Sequence, residues 1–152
     1  PAVTPGYHNL PEKMHEAMTD DGWYRTGDIM RRDSEGFHYF IGRVDDMFNC
    51  GGENIYPSEI ERMLERHEAI EQVCAVPIPD EIKGFKPVAF VVKVPGINIR
   101  EEDVKEYALA NGPAYQHPRT VYFVESLPLT GTNKVDRKKL IQTAEKRLSD
   151  AG

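Results

Sequence analysis

The sequence predicts an α+β or α/β core between about residues 45 and 148, because strand-like and helix-like stretches alternate there. Three observations support this. The run Pro87-Val88-Ala89-Phe90-Val91-Val92-Lys93-Val94 is the most β-prone in the chain, rich in valine and closed by Pro95-Gly96. Ile60, Met63 and Leu64 recur at the i, i+3, i+4 spacing of one helix face, just after Pro57, which suits a first helical turn. Asp136 can cap a last helix in which Leu140, Ile141, Ala144 and Leu148 face inward.

Each element follows in order. Residues 1–22 are rich in Pro, Gly, His, Asn and Asp and read as loop and connector, with a short helix around 12–18. Thr26-Gly27-Asp28 is a tight turn, and Asp33-Ser34-Glu35-Gly36 a second. Phe37, Tyr39 and Ile41 alternate with His38 and Phe40 as in a strand, which delivers the chain to Gly42. Asn49-Cys50-Gly51-Gly52 turns again, its paired glycines free to reach positive φ and to let a ligand come close. A helix over about 57–66 leads to a buried strand over 73–78, a loop over 79–84 and the valine-rich strand. Asn98 can cap the next helix, with Glu101 three residues on. Val104, Tyr107 and Ala108 form its stripe, and Asn111-Gly112-Pro113 stop it. A third strand over 119–125 and a tight polar loop over 127–133 precede the last helix.

Composition narrows the function classes. A chain of 152 residues with 39% hydrophobic content suits one ordinary domain, or a compact domain with an appendage. Net charge of −6 and a pI near 5.4, without a basic run, argue against nucleic acid as a partner. No apolar run approaches the ~20 residues that span a bilayer, and no signal-peptide pattern is present. Cys50 and Cys74 have no metal-ligand spacing and require no disulfide, so no metal and a reducing cytoplasm are the expectations. The chain starts at Pro1 rather than Met and reads as a piece of something longer.

Three stretches hold the residues of chemical interest: Tyr24-Arg25-Thr26-Gly27-Asp28, the segment GRVDDMFNCGGENIYPSEIE over 42–61, and PLTGTNKVDRK over 128–138. Taken singly, they have ordinary explanations. Asp28 can stabilise its own turn. Arg43 can form a surface ion pair, Asp45 and Asp46 can be solvated, and Lys134 can be one of several lysines ahead of a helix. Taken together, in this order and spacing, they resemble the acyl-adenylate-forming (AMP-dependent) synthetases and ligases, which include acyl-CoA ligases, peptide-synthetase adenylation domains and luciferases. The nearest resemblance is to the acyl- and aryl-CoA ligase branch, where GRxDD…GGENIxPxEIE is typical. It runs from about residue 5 to 140.

The resemblance implies an α+β fold: a small C-terminal domain with a short β-hairpin and a central three-stranded sheet flanked by helices. It implies that 1–43 are the tail of a large N-terminal domain, 44–46 a hinge and 47–152 a mobile C-terminal domain. A carboxylate would attack the α-phosphate of ATP to give acyl-AMP and pyrophosphate, and CoA would then displace AMP, with the small domain rotating between steps. Asp28 would accept from the ribose hydroxyls, which suits a carboxylate facing a vicinal diol. Arg43 would reach the nucleotide near ribose and phosphate, and Asp45 would be the hinge position; Asp46 has no implied role and is expected to be solvated. Gly51, Gly52 and Glu53 would line the pantetheine tunnel. Lys83 would approach a CoA phosphate, with Tyr115, Gln116 and Arg119 as further candidates. Lys134 would be catalytic, contacting both the carboxylate and the α-phosphate as charge develops there. Many relatives have Gly immediately before that lysine; here it is Asn133, which implies a stiffer loop. The family's phosphate loop and acyl pocket lie in the large domain, so Mg2+ would be held mainly there, and this chain by itself would be inactive. Further implied partners are the large domain itself and a lysine acetyltransferase acting on Lys134. Two alternatives remain at this point: an adenylation domain that loads a carrier protein, and a regulatory or interaction module that has lost the reaction.

Overall fold

The computed structural model describes residues 4–150. The chain divides into two compact units between Asp45 and Asp46.

The first unit holds α1 (Pro11–Ala17), β1 (Asp28–Arg32) and β2 (His38–Arg43). Pro11 opens α1, where a missing N–H leaves no bond unmade. β1 and β2 form an antiparallel pair from Arg32↔His38 to Asp28↔Arg43, with an irregularity between Ile29 and Met30. β1 is a correction to the sequence expectation. Asp28 begins a strand as well as ending the Thr26-Gly27 turn. Asp-Ile-Met-Arg-Arg has little intrinsic strand character, and its conformation comes from pairing with β2. The intervening turn is an Asx turn: Asp33 Oδ1 accepts from the N–H groups of Glu35 at 3.0 Å and Phe37 at 2.9 Å. Among the described residues of this unit only Gly42 is buried.

The second unit contains β3 (Phe48–Cys50), β4 (Glu53–Ile55), α2 (Pro57–Leu64), β5 (Ile70–Asp80), β6 (Gly84–Lys93), α3 (Glu101–Asn111), β7 (Thr120–Val124) and α4 (Arg137–Ser149). β6 is central, with β5 antiparallel along one edge and β7 parallel along the other. The β3–β4 hairpin joins the start of β6 through Cys50↔Gly84. This is the expected α+β arrangement of a hairpin beside a three-stranded sheet with helices packed on it. Successive residues of β6 point to opposite faces. Ala89 and Val91 join Ile55, Ile60, Leu64, Val104 and Ala108 in one buried cluster. Val88 and Phe90 join Cys74, Val76, Leu140 and Ala144 in the other. Burial on both faces explains why β6 reads as a continuous apolar run.

Two boundaries differ from expectation. Half of the segment 79–84 is strand, namely Pro79, Asp80 and Gly84, and its loop shrinks to Glu81, Ile82 and Lys83. Pro77 faces Pro87 across the pair, and the Pro87 carbonyl accepts from Arg119 N–H at 2.8 Å on the side away from β5. The prolines thus meet as a non-hydrogen-bonded pair, and the ladder between them misses no N–H. Asp80 closes the loop by accepting from Lys83 and Ile82 N–H, which together hold its carboxyl below the usual range. At α3 the cap is Arg100 instead of Asn98. Arg100 N–H donates to Asp103 Oδ2 at 2.9 Å, and its guanidinium reaches the same carboxylate at 2.6 Å. Charge assistance favours this pairing over an amide cap. Asp136 caps α4 as expected, accepting from Lys139 N–H at 3.0 Å.

Candidate functional site

In the first unit the register of β1 with β2 places Asp28 directly opposite Arg43. Arg43 Nη1 donates to Asp28 Oδ1 at 3.1 Å and to the Thr26 carbonyl at 3.2 Å. Its Nε and Nη2 grip both oxygens of Asp45, at 2.9 and 3.3 Å. One guanidinium therefore joins three of the residues implied by the resemblance. Hydrogen bonding from Arg43 holds the Asp45 carboxyl below its ordinary range. The side chains of Asp28, Arg43 and Asp45 keep 31%, 43% and 67% of their surface. A carboxylate held this way retains acceptor capacity for hydroxyl groups. Among the described residues no group of three or more His, Cys, Asp or Glu could hold a metal ion.

In the second unit Cys50 pairs with Glu53, so Gly51-Gly52 is a two-residue hairpin loop with φ of +62° and +94°. Both positions need positive φ in such a turn, which glycine adopts without a Cβ penalty. Asn49 Oδ1 accepts from Gly52 N–H at 3.0 Å, and Gly51 N–H donates to the Lys83 carbonyl at 2.9 Å. Gly51, Gly52, Glu53 and Lys83 thus come to one exposed end of the sheet. A Cβ on Gly52 would meet nothing within 4 Å, so torsion demands that glycine and the space before it stays open.

Lys134 lies elsewhere in this unit, exposed on the hairpin between Leu129 and Val135. Thr130 N–H donates to the Lys134 carbonyl at 2.7 Å and Asn133 N–H to the Thr130 carbonyl at 3.0 Å. Asn133 has φ of +61°, the left-handed position that follows a tight turn in a three-residue hairpin loop. That torsion explains the residue before Lys134: Gly fits it best, and Asn is among the few side chains that tolerate it. The substitution keeps the loop's shape.

Sequence reasoning missed the cluster behind this loop. Arg137 forks onto Glu61, Nη1 to Oε1 at 2.6 Å and Nη2 to Oε2 at 3.0 Å, and also donates to the Ala75 carbonyl at 2.9 Å. Glu61 Oε1 in turn accepts from Ala75 N–H at 2.9 Å. Burial disfavours charge on Arg137, but the fork onto Glu61 and the charge of Asp46 outweigh it and hold the guanidinium protonated. Burial pushes the neighbouring Cys74 thiol up to about 12, so it is inert as a nucleophile. Asp46, expected to be solvated, is instead 3.8 Å from Arg137 Nε. A signal was present: Pro57, Glu61 and Leu64 share a face at i, i+4, i+7, and a charge among residues that are otherwise buried there demands a partner. Tyr115 packs against the core and buried Gln116 donates to Glu59 at 3.1 Å, so both are built into the fold. Arg119 lies 3.1 Å from His117 Nδ1.

The AMP-binding enzyme C-terminal domain model matches residues 59–134, half of the chain. The chain is 39% identical to the 2-succinylbenzoate–CoA ligase of Geobacillus sp. (strain WCH70), covering 93% of itself and 29% of that protein. It thus spans under a third of the length of the curated relatives it matches. ATP-bound MatB from Rhodopseudomonas palustris superposes with a TM-score of 0.83 at 30% identity, over 93% of this chain and 28% of that one. The amide bond synthetase McbA from Marinactinospora thermotolerans gives 0.86 at 28%, over 91% and 28%. The family match, the similarity to CoA ligases and the shared fold agree, and the chain belongs to the AMP-binding enzyme C-terminal domain family.

Proposed function

We propose that this chain is the C-terminal part of an ATP-dependent, AMP-forming acyl-CoA ligase, which converts a carboxylate, ATP and CoA to acyl-CoA, AMP and pyrophosphate through an acyl-adenylate. One observation carries the reading: an exposed lysine, Lys134, sits on a hairpin whose base is braced by the cap of α4. A compact ammonium so presented can enter a closed site and meet charge developing on the α-phosphate. The similarity to ligases that use CoA supports the same reading.

In this function Asp28 accepts from the nucleotide ribose and Arg43 steers ribose and phosphate, while Asp45 is the hinge between a tail over 1–43 and a mobile domain over 47–152. Gly51, Gly52 and Glu53 line the pantetheine path, and Lys83 lies near a CoA phosphate. Mg2+ would be held mainly by the large N-terminal domain, beside the phosphate loop that the resemblance places there. That domain would also cover the exposed Trp23, Met30 and Phe37. Both cysteines are free and buried, in keeping with a cytoplasmic protein. Exposed Lys134 is within reach of a lysine acetyltransferase, whose product would lose the charge.

The test uses the full-length protein. Lys134→Ala should lower carboxylate-dependent ATP–pyrophosphate exchange by on the order of 10²–10³-fold, while thioester formation from synthetic acyl-AMP and CoA stays within a few-fold. Adenylation by Lys134→Ala close to wild type, with loss in Lys138→Ala, would overturn the assignment.

A further inference from the structure

The cluster around Arg137 is built more elaborately than a core contact needs. The guanidinium lies at the first position of α4, three residues after Lys134, and its fork joins α4 to Glu61 of α2. It also touches the Ala75 carbonyl of β5 and, through Nε, Asp46, the first residue of the second unit. The residues between Lys134 and Arg137 are fixed as well. Val135 pairs with Leu129, and Asp136 N–H donates to the Pro128 carbonyl at 2.8 Å. Lys134 itself, beyond these anchors, is held in the turn through its own backbone by Thr130: its carbonyl accepts from Thr130 N–H, and its N–H donates to Thr130 Oγ1 at 3.3 Å.

From this geometry we infer that Arg137 is a positioning residue for adenylation: its fork on Glu61 sets where the Lys134 hairpin stands, and its contact with Asp46 makes the hairpin and the first residue after Asp45 parts of one rigid body. The inference rests on the proposed role of Lys134. A cation delivered by domain rotation is useful only if its hairpin arrives in one place, and misplacement by about 1 Å can cost on the order of 10²-fold in rate. A guanidinium suits the task because its planar fork fixes direction as well as distance. Glu61 is the other half of the device, and its Oε1 is itself oriented by Ala75 N–H. Arg137 touches no substrate in this scheme and acts through Lys134.

Two measurements separate this from a purely structural contact. In the 152-residue chain, 15N relaxation should show the Gly131 to Lys134 amides more mobile in Arg137→Ala than in wild type, and unchanged in Lys138→Ala. In the full-length protein, Arg137→Ala should lower the adenylation kcat by on the order of 10²-fold, with the KM for ATP within a few-fold and the acyl-AMP-to-thioester step spared. Arg137→Lys, which keeps charge but not the fork, should fall between. Lys134→Ala is run in parallel. If it retains adenylation, the reading of Lys134 itself fails. If it loses adenylation while Arg137→Ala keeps it, or if Arg137→Ala lowers both half-reactions equally in step with its folded fraction, the positioning role is overturned. An unchanged hairpin in the relaxation data overturns it too.

Discussion

The two units place their arginine clusters in opposite surroundings. Among the described residues up to Asp45 only Gly42 is buried, and Trp23, Phe37 and Met30 keep 73%, 61% and 54% of their surface. From Asp46 onward a sheet buries side chains on both faces, with Phe90, Ile55, Leu64 and Val91 fully enclosed. Arg43 in the first unit and Arg137 in the second both fork onto a carboxylate. Arg43 does so in solvent, where hydration competes and an ion pair contributes little. Arg137 does so against a core, where an unpaired partner would be costly. The same side-chain chemistry therefore competes with water in one unit and is shielded from it in the other.

The largest expected effect breaks the molecule at that divide. Residues 46–152 alone should unfold cooperatively by circular dichroism, as a chain with its own core does, and residues 1–45 alone should show no transition. A non-cooperative 46–152 fragment would refute the contrast. Next, Phe90→Ala should cost about 3–5 kcal/mol in denaturant unfolding, whereas Phe37→Ala should stay within about 0.5 kcal/mol. The arginines sharpen the comparison: Arg137→Ala should cost about 3 kcal/mol because Glu61 is left unpaired, and Arg43→Ala no more than about 1 kcal/mol. Similar losses for both would show that burial does not distinguish them.

Smaller effects test local geometry. Asn133→Gly should leave stability within about 0.5 kcal/mol, and Asn133→Ala should lower it by about 1 kcal/mol, because Ala lacks the short polar side chain whose local hydrogen bonding lets Asn adopt the left-handed torsion. The smallest effect concerns pH. Arg43 lowers the folded-state pKa of Asp45. Its contribution is therefore present above the unfolded carboxyl value, near about 4, and is lost as pH falls through the lower folded value. The Arg43 Nε–H resonance should follow that loss in an acid titration, and Asp45→Asn should flatten it. An unaltered titration in Asp45→Asn would show that Asp45 does not govern it.

Much of the site was legible along the chain because its parts are local. The Gly51-Gly52 turn, the cap at Asp136 and the hairpin bearing Lys134 each lie within a few residues, and short-range torsions and hydrogen bonds define them. The continuous apolar run of β6 and the stripe of α2 likewise announce burial from local sequence. The strand character of Asp28–Arg32 did not show, because β2 imposes it. Nor did the extension of β5 and β6 past their prolines, which depends on how the pair faces. The fork from Arg137 to Glu61 spans 76 residues of sequence. The sequence by itself determined the four helices, the valine-rich strand and the tight turns, because those preferences act through neighbouring residues. Only the tertiary structure decided that Arg43 would sit among solvated carboxylates and Arg137 against a core, because burial and partner are properties of what the folded chain brings alongside.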